Sequence, residues 1–258
     1  RDPVLSPKCD IQLIYIQIHI CSSLNTYMRD WNQTEILKLD ITTHCNAGCP
    51  LCTRTDKVTG KKVDFLPLTH VNTNDVLDWI YQASENNMTR IDLVGEWGDP
   101  MMHPDIEKII EYASSQNMEI SIDTNGGIRN TEFWTRMGSY KKLCVAFGMD
   151  GFDHETSSRY RIGVNFNKAL ANLEAFSTES NKYRKGQISN ARWQFILFDY
   201  NLDHVDNIAE YCDKNNICFE LRINDRSHKH KIEPGTNDYN FYTEKYKQYK
   251  HLQNKVVA

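Results

Sequence analysis

Long apolar runs are missing from this sequence. Its most apolar stretch, IQLIYIQIHI over residues 11–20, is interrupted by Gln12, Gln17 and His19. A membrane-spanning helix needs about 20 consecutive apolar residues, and the stretch also lacks the basic flank and small-residue cleavage site of a signal peptide. We therefore expect no association with a membrane.

A strong charge imbalance is missing as well. The 258 residues carry a net charge of -4, which does not favour an extended nucleic-acid surface, although a local basic patch remains compatible with this average. The eight cysteines do not resemble a secreted disulfide framework, because three are bunched at one point and the others are scattered. A reducing cytoplasmic location fits this usage better.

What the sequence does contain is a regular alternation of strand-like and helix-like segments. Runs rich in β-branched and aromatic residues predict six strands, and amphipathic stretches predict a helix in each of the five intervals between them. Parallel neighbours need such crossovers, so we predict an α/β fold, either a (β/α)6 partial TIM barrel or an open doubly wound sheet. The predicted strands are Ile36 to Ile41, Arg90 to Gly95, Glu119 to Thr124, Leu143 to Met149, Arg192 to Phe198 and Cys218 to Ile223.

The same pattern divides the chain into three parts. Residues 1–35 are expected to be an N-terminal extension, whose part before Met28 is either not native or loosely attached, and residues 36–224 to form the core domain. Residues 225–258 are polar in composition and are expected to form a C-terminal tail.

Three cysteines with the spacing C-x3-C-x2-C follow the first predicted strand: Cys45, Cys49 and Cys52. Catalytic groups of such folds gather at the carboxyl ends of the strands. Three thiolates leave one iron of a four-iron cluster open, and that iron can bind a substrate or cofactor. A zinc site completed by His44 or a distant residue, and simple buried thiols, are the structural alternatives.

The cysteine spacing resembles that of the radical S-adenosylmethionine superfamily. This resemblance implies a [4Fe-4S] cluster whose open iron is chelated by the amino and carboxylate groups of S-adenosylmethionine. It further implies reductive cleavage of that cofactor to a 5'-deoxyadenosyl radical, which abstracts hydrogen from a substrate. A low-potential electron donor of the flavodoxin or ferredoxin type is implied too.

Three further strand ends carry the resemblance. Gly98-Asp99-Pro100 is similar to the element that holds the cofactor's amino group, with Asp99 in place of the usual Glu and Glu96 as the alternative partner. Thr124 and Asn125 are similar to the Thr-Asn-Gly strand end. After the fourth strand, Asp150, Gly151 and Arg161 are similar to a segment of the peptide-modifying branch, although Gly148 stands where serine is usual.

Each of these motifs also has a plain structural reading. The glycines and Pro100 can form an ordinary strand-to-helix turn, Asn125-Gly126 an ordinary tight turn, and Arg161 a surface arginine. Two other functions stay open: an iron-sulfur redox relay with a fourth protein ligand, and a structural metal-binding protein. Within the enzyme hypothesis, a peptide or protein substrate is favoured over RNA or a small molecule.

Overall fold

The computed structural model describes residues 35–184, 190–224 and 230–253. The predicted N-terminal extension, including Met28, lies outside the described residues apart from Glu35. The six predicted strands are all present, and their observed bounds are β1 Ile36–Lys38, β2 Arg90–Leu93, β3 Glu119–Thr124, β4 Leu143–Gly148, β5 Ala191–Leu197 and β6 Cys218–Ile223.

The strands form one sheet in the order β1-β2-β3-β4-β5-β6, and every neighbouring pair is parallel. With helices in the connections, this is the (β/α)6 arrangement of a partial TIM barrel, which confirms the first of the two predicted architectures. The carboxyl ends of all six strands therefore lie along one edge, where the loops that follow them meet.

Seven α-helices surround this sheet in the described chain. The sequence pattern predicts helices over Thr73 to Glu85, Pro104 to Gln116, Thr131 to Met137, Phe166 to Phe176 and Leu202 to Lys214. The first has the predicted bounds. The second begins two residues later and ends one residue earlier, the third ends one residue later, the fourth runs eight residues further, and the fifth starts after a short 3-10 turn. The helices are α1 Thr73–Glu85, α2 Ile106–Ser115, α3 Thr131–Gly138, α4 His154–Ser158, α5 Phe166–Arg184, α6 Val205–Lys214 and α7 Asn237–Gln253.

Helix α7 lies within the segment whose composition predicts a polar tail. In the structure this helix packs on α6 and β6, with Leu252 only 1% exposed. Its contacts include Tyr249, whose hydroxyl donates to Asp206 on α6, and Lys245, which pairs with the same carboxylate. Polar composition misled the prediction because the packed face of α7 is made largely of tyrosines, whose apolar rings carry a polar tip.

The core lies between the sheet and the helices, and Trp134 on α3 is at its centre. The Trp134 ring is fully buried against Phe147 of β4 and Phe176 of α5, with ring centroids 4.8 and 6.1 Å away. Its Nε1 donates to the Ile128 carbonyl oxygen at 3.0 Å, so the one polar atom of the ring is satisfied. As aromatic residues on predicted helices, Trp79 and Trp134 are both expected in the core; Trp134 is fully buried, whereas Trp79 is only partly buried at its edge.

Within residues 35–184, 190–224 and 230–253, no helix is both long and apolar enough to span a bilayer.

Truncating Trp134 is expected to reveal how much this centre contributes to stability. Trp134→Ala should lower the free energy of unfolding by about 3–5 kcal/mol, because it leaves a large cavity between β4 and α5. Trp79→Ala on α1 is the matched control, since Trp79 is only partly buried at the edge of the core, and it should cost about 1–2 kcal/mol. Urea unfolding of both variants measures the difference, and equal losses would contradict this account of the core.

Candidate functional site

One cavity of about 850 Å³ lies at the carboxyl ends of the strands. Its wall includes all three clustered cysteines together with most of the residues singled out in the second, third and fourth motifs. Of those predicted residues, the ones that line the cavity are Cys45, Cys49, Cys52, Gly98, Asp99, Thr124, Asn125 and Arg161. Pro100 and Asp150 are buried behind this wall.

The cysteine loop is anchored by backbone hydrogen bonds. The amide of Gly48 donates to the Ile162 carbonyl oxygen at 2.8 Å, and the amide of Cys52 donates to the Cys49 carbonyl oxygen at 3.0 Å. Two side chains from other strand ends approach the sulfurs: Asn125 Nδ2 lies 3.7 Å from Cys45 Sγ and Arg161 Nη1 lies 3.9 Å from Cys49 Sγ. Donors placed like this stabilise a thiolate more than a neutral thiol.

Two of the thiols lie in surroundings that disfavour the thiolate. Burial, followed by the nearby Asp99 carboxylate, raises the pKa of Cys45 to about 12, and burial also raises the pKa of Cys49. These two thiols therefore favour the protonated form until a metal displaces their protons.

The zinc alternative is not supported by the geometry. In the part of the chain that the structure describes, no three His, Cys, Asp or Glu side chains converge closely enough to hold a single metal ion. His44, the suggested fourth zinc ligand, stacks on His70 with ring centroids 4.3 Å apart. The three cysteines line a cavity far wider than one ion needs.

Arg54 is a site residue that the sequence reasoning missed. It is 7% exposed, lines the cavity, and its Nε has no hydrogen-bond partner. No carboxylate in the described chain is within ion-pair distance of its guanidinium, whose charge acts to lower the pKa of Cys45. A buried cation requires a counter-charge, so the cavity is suited to an anionic group. The only signal in the sequence was the position of this arginine, two residues after Cys52.

Asp99 is held almost entirely by the protein. Its carboxylate accepts from Thr124 Oγ1 at 2.9 Å, from the Asn125 amide at 2.8 Å and from the Met101 amide at 3.0 Å. These bonds join the ends of β2 and β3. Burial raises the pKa of Asp99, and the two backbone amides oppose that shift. The Thr124 hydroxyl lies 2.9 Å from both carboxylate oxygens, so at most one of the roughly four lone-pair sites is left for a ligand.

Glu96, the alternative to Asp99, is exposed and also lines the cavity. Its backbone carbonyl oxygen accepts from Thr53 Oγ1 at 2.8 Å, which attaches the second strand end to the cysteine loop. Gly98 is a close-approach position, because a Cβ atom there would lie 2.2 Å from the Thr42 carbonyl oxygen.

Arg161 lies in the cavity wall rather than on the surface. Its Nε donates to Asp150 Oδ2 at 2.6 Å, and Asp150 is fully buried and accepts from the Ile196 amide at 2.7 Å. Burial acts to lower the pKa of Arg161, but the Asp150 carboxylate and the Cys49 thiol more than offset it and raise that pKa. Arg161 is therefore a permanent cation in contact with the cysteine loop.

The departure at Gly148 has a structural explanation. A Cβ atom at position 148 would lie 2.5 Å from Arg161 Nη2 and 2.8 Å from Arg161 Cζ. The guanidinium thus occupies the space that a larger residue at the end of β4 would fill.

The far end of the cavity was not anticipated from the sequence. It is lined by polar side chains of β3, β5 and β6 and by two rings of α7. These residues are Asp123, Gln194, Glu220, Arg222, Tyr242 and Tyr246. Asp123 directly precedes the Thr124-Asn125 strand end, whereas the others belong to no local motif. The sheet register and the packing of α7 on β6 bring these residues together.

Comparison with known proteins adds independent evidence. The family model described as the Radical SAM superfamily matches residues 39–212. Among curated proteins, the mycofactocin maturase MftC of Mycobacterium ulcerans is 22% identical over 178 residues, which are 69% of this chain and 44% of that protein. MftC of Mycolicibacterium smegmatis is 21% identical over 67% of this chain and 40% of its own length. The chain thus spans less than half of these curated relatives.

Solved structures share the fold. Streptococcus suis SuiB bound to S-adenosylmethionine has a TM-score of 0.61 at 14% identity, covering 83% of this chain and 48% of SuiB. Native anSMEcpe with bound AdoMet and a peptide has a TM-score of 0.59 at 16% identity, covering 83% of this chain and 58% of that chain. The fold agrees with the family match, which covers most of the described residues, and the chain belongs to the radical SAM superfamily.

Proposed function

We propose that this chain is the core of a radical SAM enzyme in which Cys45, Cys49 and Cys52 hold a [4Fe-4S] cluster beside S-adenosylmethionine. The observation that carries the proposal is the meeting, in one cavity, of three cysteine thiols and a buried Arg54 whose Nε has no hydrogen-bond partner in the described chain. When bound, the cluster supplies an electron that breaks a carbon-sulfur bond of the cofactor, giving a 5'-deoxyadenosyl radical that abstracts hydrogen from the substrate.

The residues present fit such a group. A cluster held by three thiolates is anionic, so it supplies the counter-charge that Arg54 lacks. Asn125 and Arg161 already direct donors towards two of the sulfurs. A volume of about 850 Å³ also lies within the range of cofactor cavities.

The other residues of the site are suited to different groups of the cofactor. Arg161 is suited to the cofactor carboxylate, since its planar guanidinium can bind a carboxylate with two hydrogen bonds, and Asp150 positions it from behind. Glu96 or the last lone-pair site of Asp99 would accept from the amino group. Thr124 and Asn125 hold the Asp99 carboxylate, while Gly98 and Pro100 shape the turn that carries it.

We propose a peptide or protein as the substrate, in preference to RNA or a small molecule. The support is that MftC is named a mycofactocin maturase, and that solved neighbours include SuiB bound to its precursor peptide SuiA and anSMEcpe with a bound peptide. The electron donor would be of the flavodoxin or ferredoxin type. A reducing cytoplasmic location agrees with the six described cysteines, all of which are free thiols.

We propose the same three-part division of the chain that the sequence predicts, with one change. Residues 36–224 form the proposed core domain, and α7 is added to it as part of the cavity wall, because Tyr242 and Tyr246 line the cavity.

Cluster assembly and cofactor cleavage are the first test of the proposal. After anaerobic reconstitution with iron, sulfide and dithionite, the chain should convert S-adenosylmethionine to 5'-deoxyadenosine, and Cys49→Ala should abolish this because it removes a cluster ligand. Cys212→Ala is the matched control, since Cys212 is buried on α6 outside the cavity. A cluster without cleavage would instead support the redox relay, and zinc binding without a cluster would overturn the enzyme assignment.

Removing the Arg161 guanidinium should weaken cofactor binding but leave all three cluster ligands in place. Arg161→Gln should weaken S-adenosylmethionine binding at least about tenfold, the effect of losing one charge-assisted contact. It also leaves Asp150 buried without its cation, which should cost about 3–5 kcal/mol of stability. Anaerobic equilibrium dialysis measures the affinity, and iron content checks the cluster.

Gly148→Ala is the milder companion, because its methyl group displaces the guanidinium while both charges remain. Arg159→Gln is the matched control, since Arg159 is half exposed and pairs with Glu155. If Gly148→Ala and Arg161→Gln bind the cofactor as tightly as Arg159→Gln, the role of Arg161 is refuted.

A pair of isosteric substitutions separates Asp99 from Glu96. Asp99→Asn should lower the free energy of unfolding by about 1–3 kcal/mol, because its new NH2 group faces the buried donors that the carboxylate accepts. Glu96→Gln should leave stability unchanged, since Glu96 is exposed. Cofactor affinity decides the assignment: a loss in Glu96→Gln identifies Glu96 as the partner of the amino group, and an unchanged affinity identifies Asp99.

A further inference from the structure

The polar end of the cavity has an ordered arrangement. Gly148 of β4, Gln194 of β5 and Glu220 of β6 are register partners in adjacent parallel strands. Partners in one row point to the same face of a sheet. Since Arg161 occupies the space beside Gly148, the row presents a guanidinium, a carboxamide and a carboxylate in succession, leading away from Cys49.

Two atoms of this row have no hydrogen-bond partner. Gln194 is 9% exposed, lines the cavity, and its Nε2 donor is unpaired. Glu220 Oε1 accepts from Arg222 Nε at 2.8 Å and from Arg222 Nη2 at 2.5 Å, but Oε2 accepts no hydrogen bond. Buried polar atoms are nearly always satisfied in folded proteins. A donor without a hydrogen bond, next to an acceptor whose only partner is an ion pair with Arg192 at 3.6 Å, therefore points to a ligand that carries the complementary pair.

The charges around these atoms specify a neutral ligand. Glu220 Oε2 has Arg192 Nη1 at 3.6 Å, and Arg192 also lies 3.8 Å from the Asp123 carboxylate. With Arg222 bound to the other oxygen of Glu220, two guanidinium groups face two carboxylates, and these charges balance. A ligand carboxylate would be repelled by Glu220, and an ammonium group could not accept from Gln194.

We propose that Gln194 and Glu220 bind an amide group of the substrate: its carbonyl oxygen accepts from Gln194 Nε2, and its N–H donates to Glu220 Oε2. Neighbouring strands are about 4.8 Å apart, so the two side chains can reach one ligand group from the same face of the sheet. The inference rests on the proposed function and deepens it, because it names the chemical group by which a peptide would be recognised. The amide belongs to a peptide backbone or to an Asn or Gln side chain.

Peptide retention by the reconstituted chain, with S-adenosylmethionine present, tests the inference. The probes are a library of end-capped tetrapeptides without Asn or Gln, the same library with the central amide replaced by an ester, and a third library with central Asn or Gln. Anaerobic equilibrium dialysis followed by mass spectrometry measures how much of each library the protein retains. We expect about tenfold weaker retention of the ester library, which cannot donate to Glu220.

Variants assign each contact to its residue. Gln194→Met, which keeps the size but not the donor, should weaken retention of the amide library about tenfold while the preference for amide over ester persists. Glu220→Gln should reduce that preference, because the acceptor loses its charge. Gln82→Met on the exposed face of α1 is the matched control and should change neither.

The outcomes separate this inference from the proposed function. If the wild-type chain assembles no cluster, the proposed function fails. If the cluster assembles but the ester library is retained as strongly as the first library, and the Asn and Gln library no better than either, the amide site is refuted. It is refuted too if Gln194→Met retains the amide library like the wild type. Retention confined to the Asn and Gln library assigns the amide to a side chain, and retention of the first library assigns it to the backbone. Iron and sulfide content should be unchanged in Gln194→Met, which shows that weaker retention does not come from a lost cluster.

Discussion

Parallel pairing is the constraint on which the rest of the molecule depends. Two strands can run parallel and adjacent in chain order only if the chain crosses back between them, and each crossover here contains a helix. Five such crossovers in succession bring all six carboxyl ends to one edge. Cysteines that follow β1, a carboxylate that follows β2 and an arginine that follows β4 thus line one cavity, although more than a hundred residues separate Cys45 from Arg161.

Electrostatic balance inside the cavity follows from that convergence. The buried anions Asp99 and Asp150 are each satisfied by the protein, the first through hydroxyl and amide donors and the second through Arg161. Arg54 is not satisfied in this way. The cysteine end therefore has a positive charge available for an anionic group, whereas at the β5 and β6 end two guanidinium groups and two carboxylates balance each other. One cavity in this way provides two chemically different subsites.

The limits of sequence reasoning are visible in particular elements. The predicted first strand extends to Ile41, but β1 ends at Lys38, because the chain beyond it leaves the sheet and bridges to the segment around His70. Helix α7 was missed because its packed face is rich in tyrosine. Arg54 was missed because nothing in its immediate sequence indicates whether a carboxylate elsewhere in the chain neutralises it.

The sequence by itself determined the strands, their alternation with helices, and the three thiols behind the first strand, since each of these is encoded within a few residues by spacing and periodicity. Only the tertiary structure decided how the polar atoms of the site are paired. Donors from the end of β3 and from Met101 occupy most of the Asp99 carboxylate, the Arg161 guanidinium takes the space beside Gly148, and Gln194 and Glu220 each keep one atom without a hydrogen bond. The physical reason is that each hydrogen bond, and each space that a side chain can fill, depends on residues of distant strands. The packing of the whole sheet sets the register of those strands.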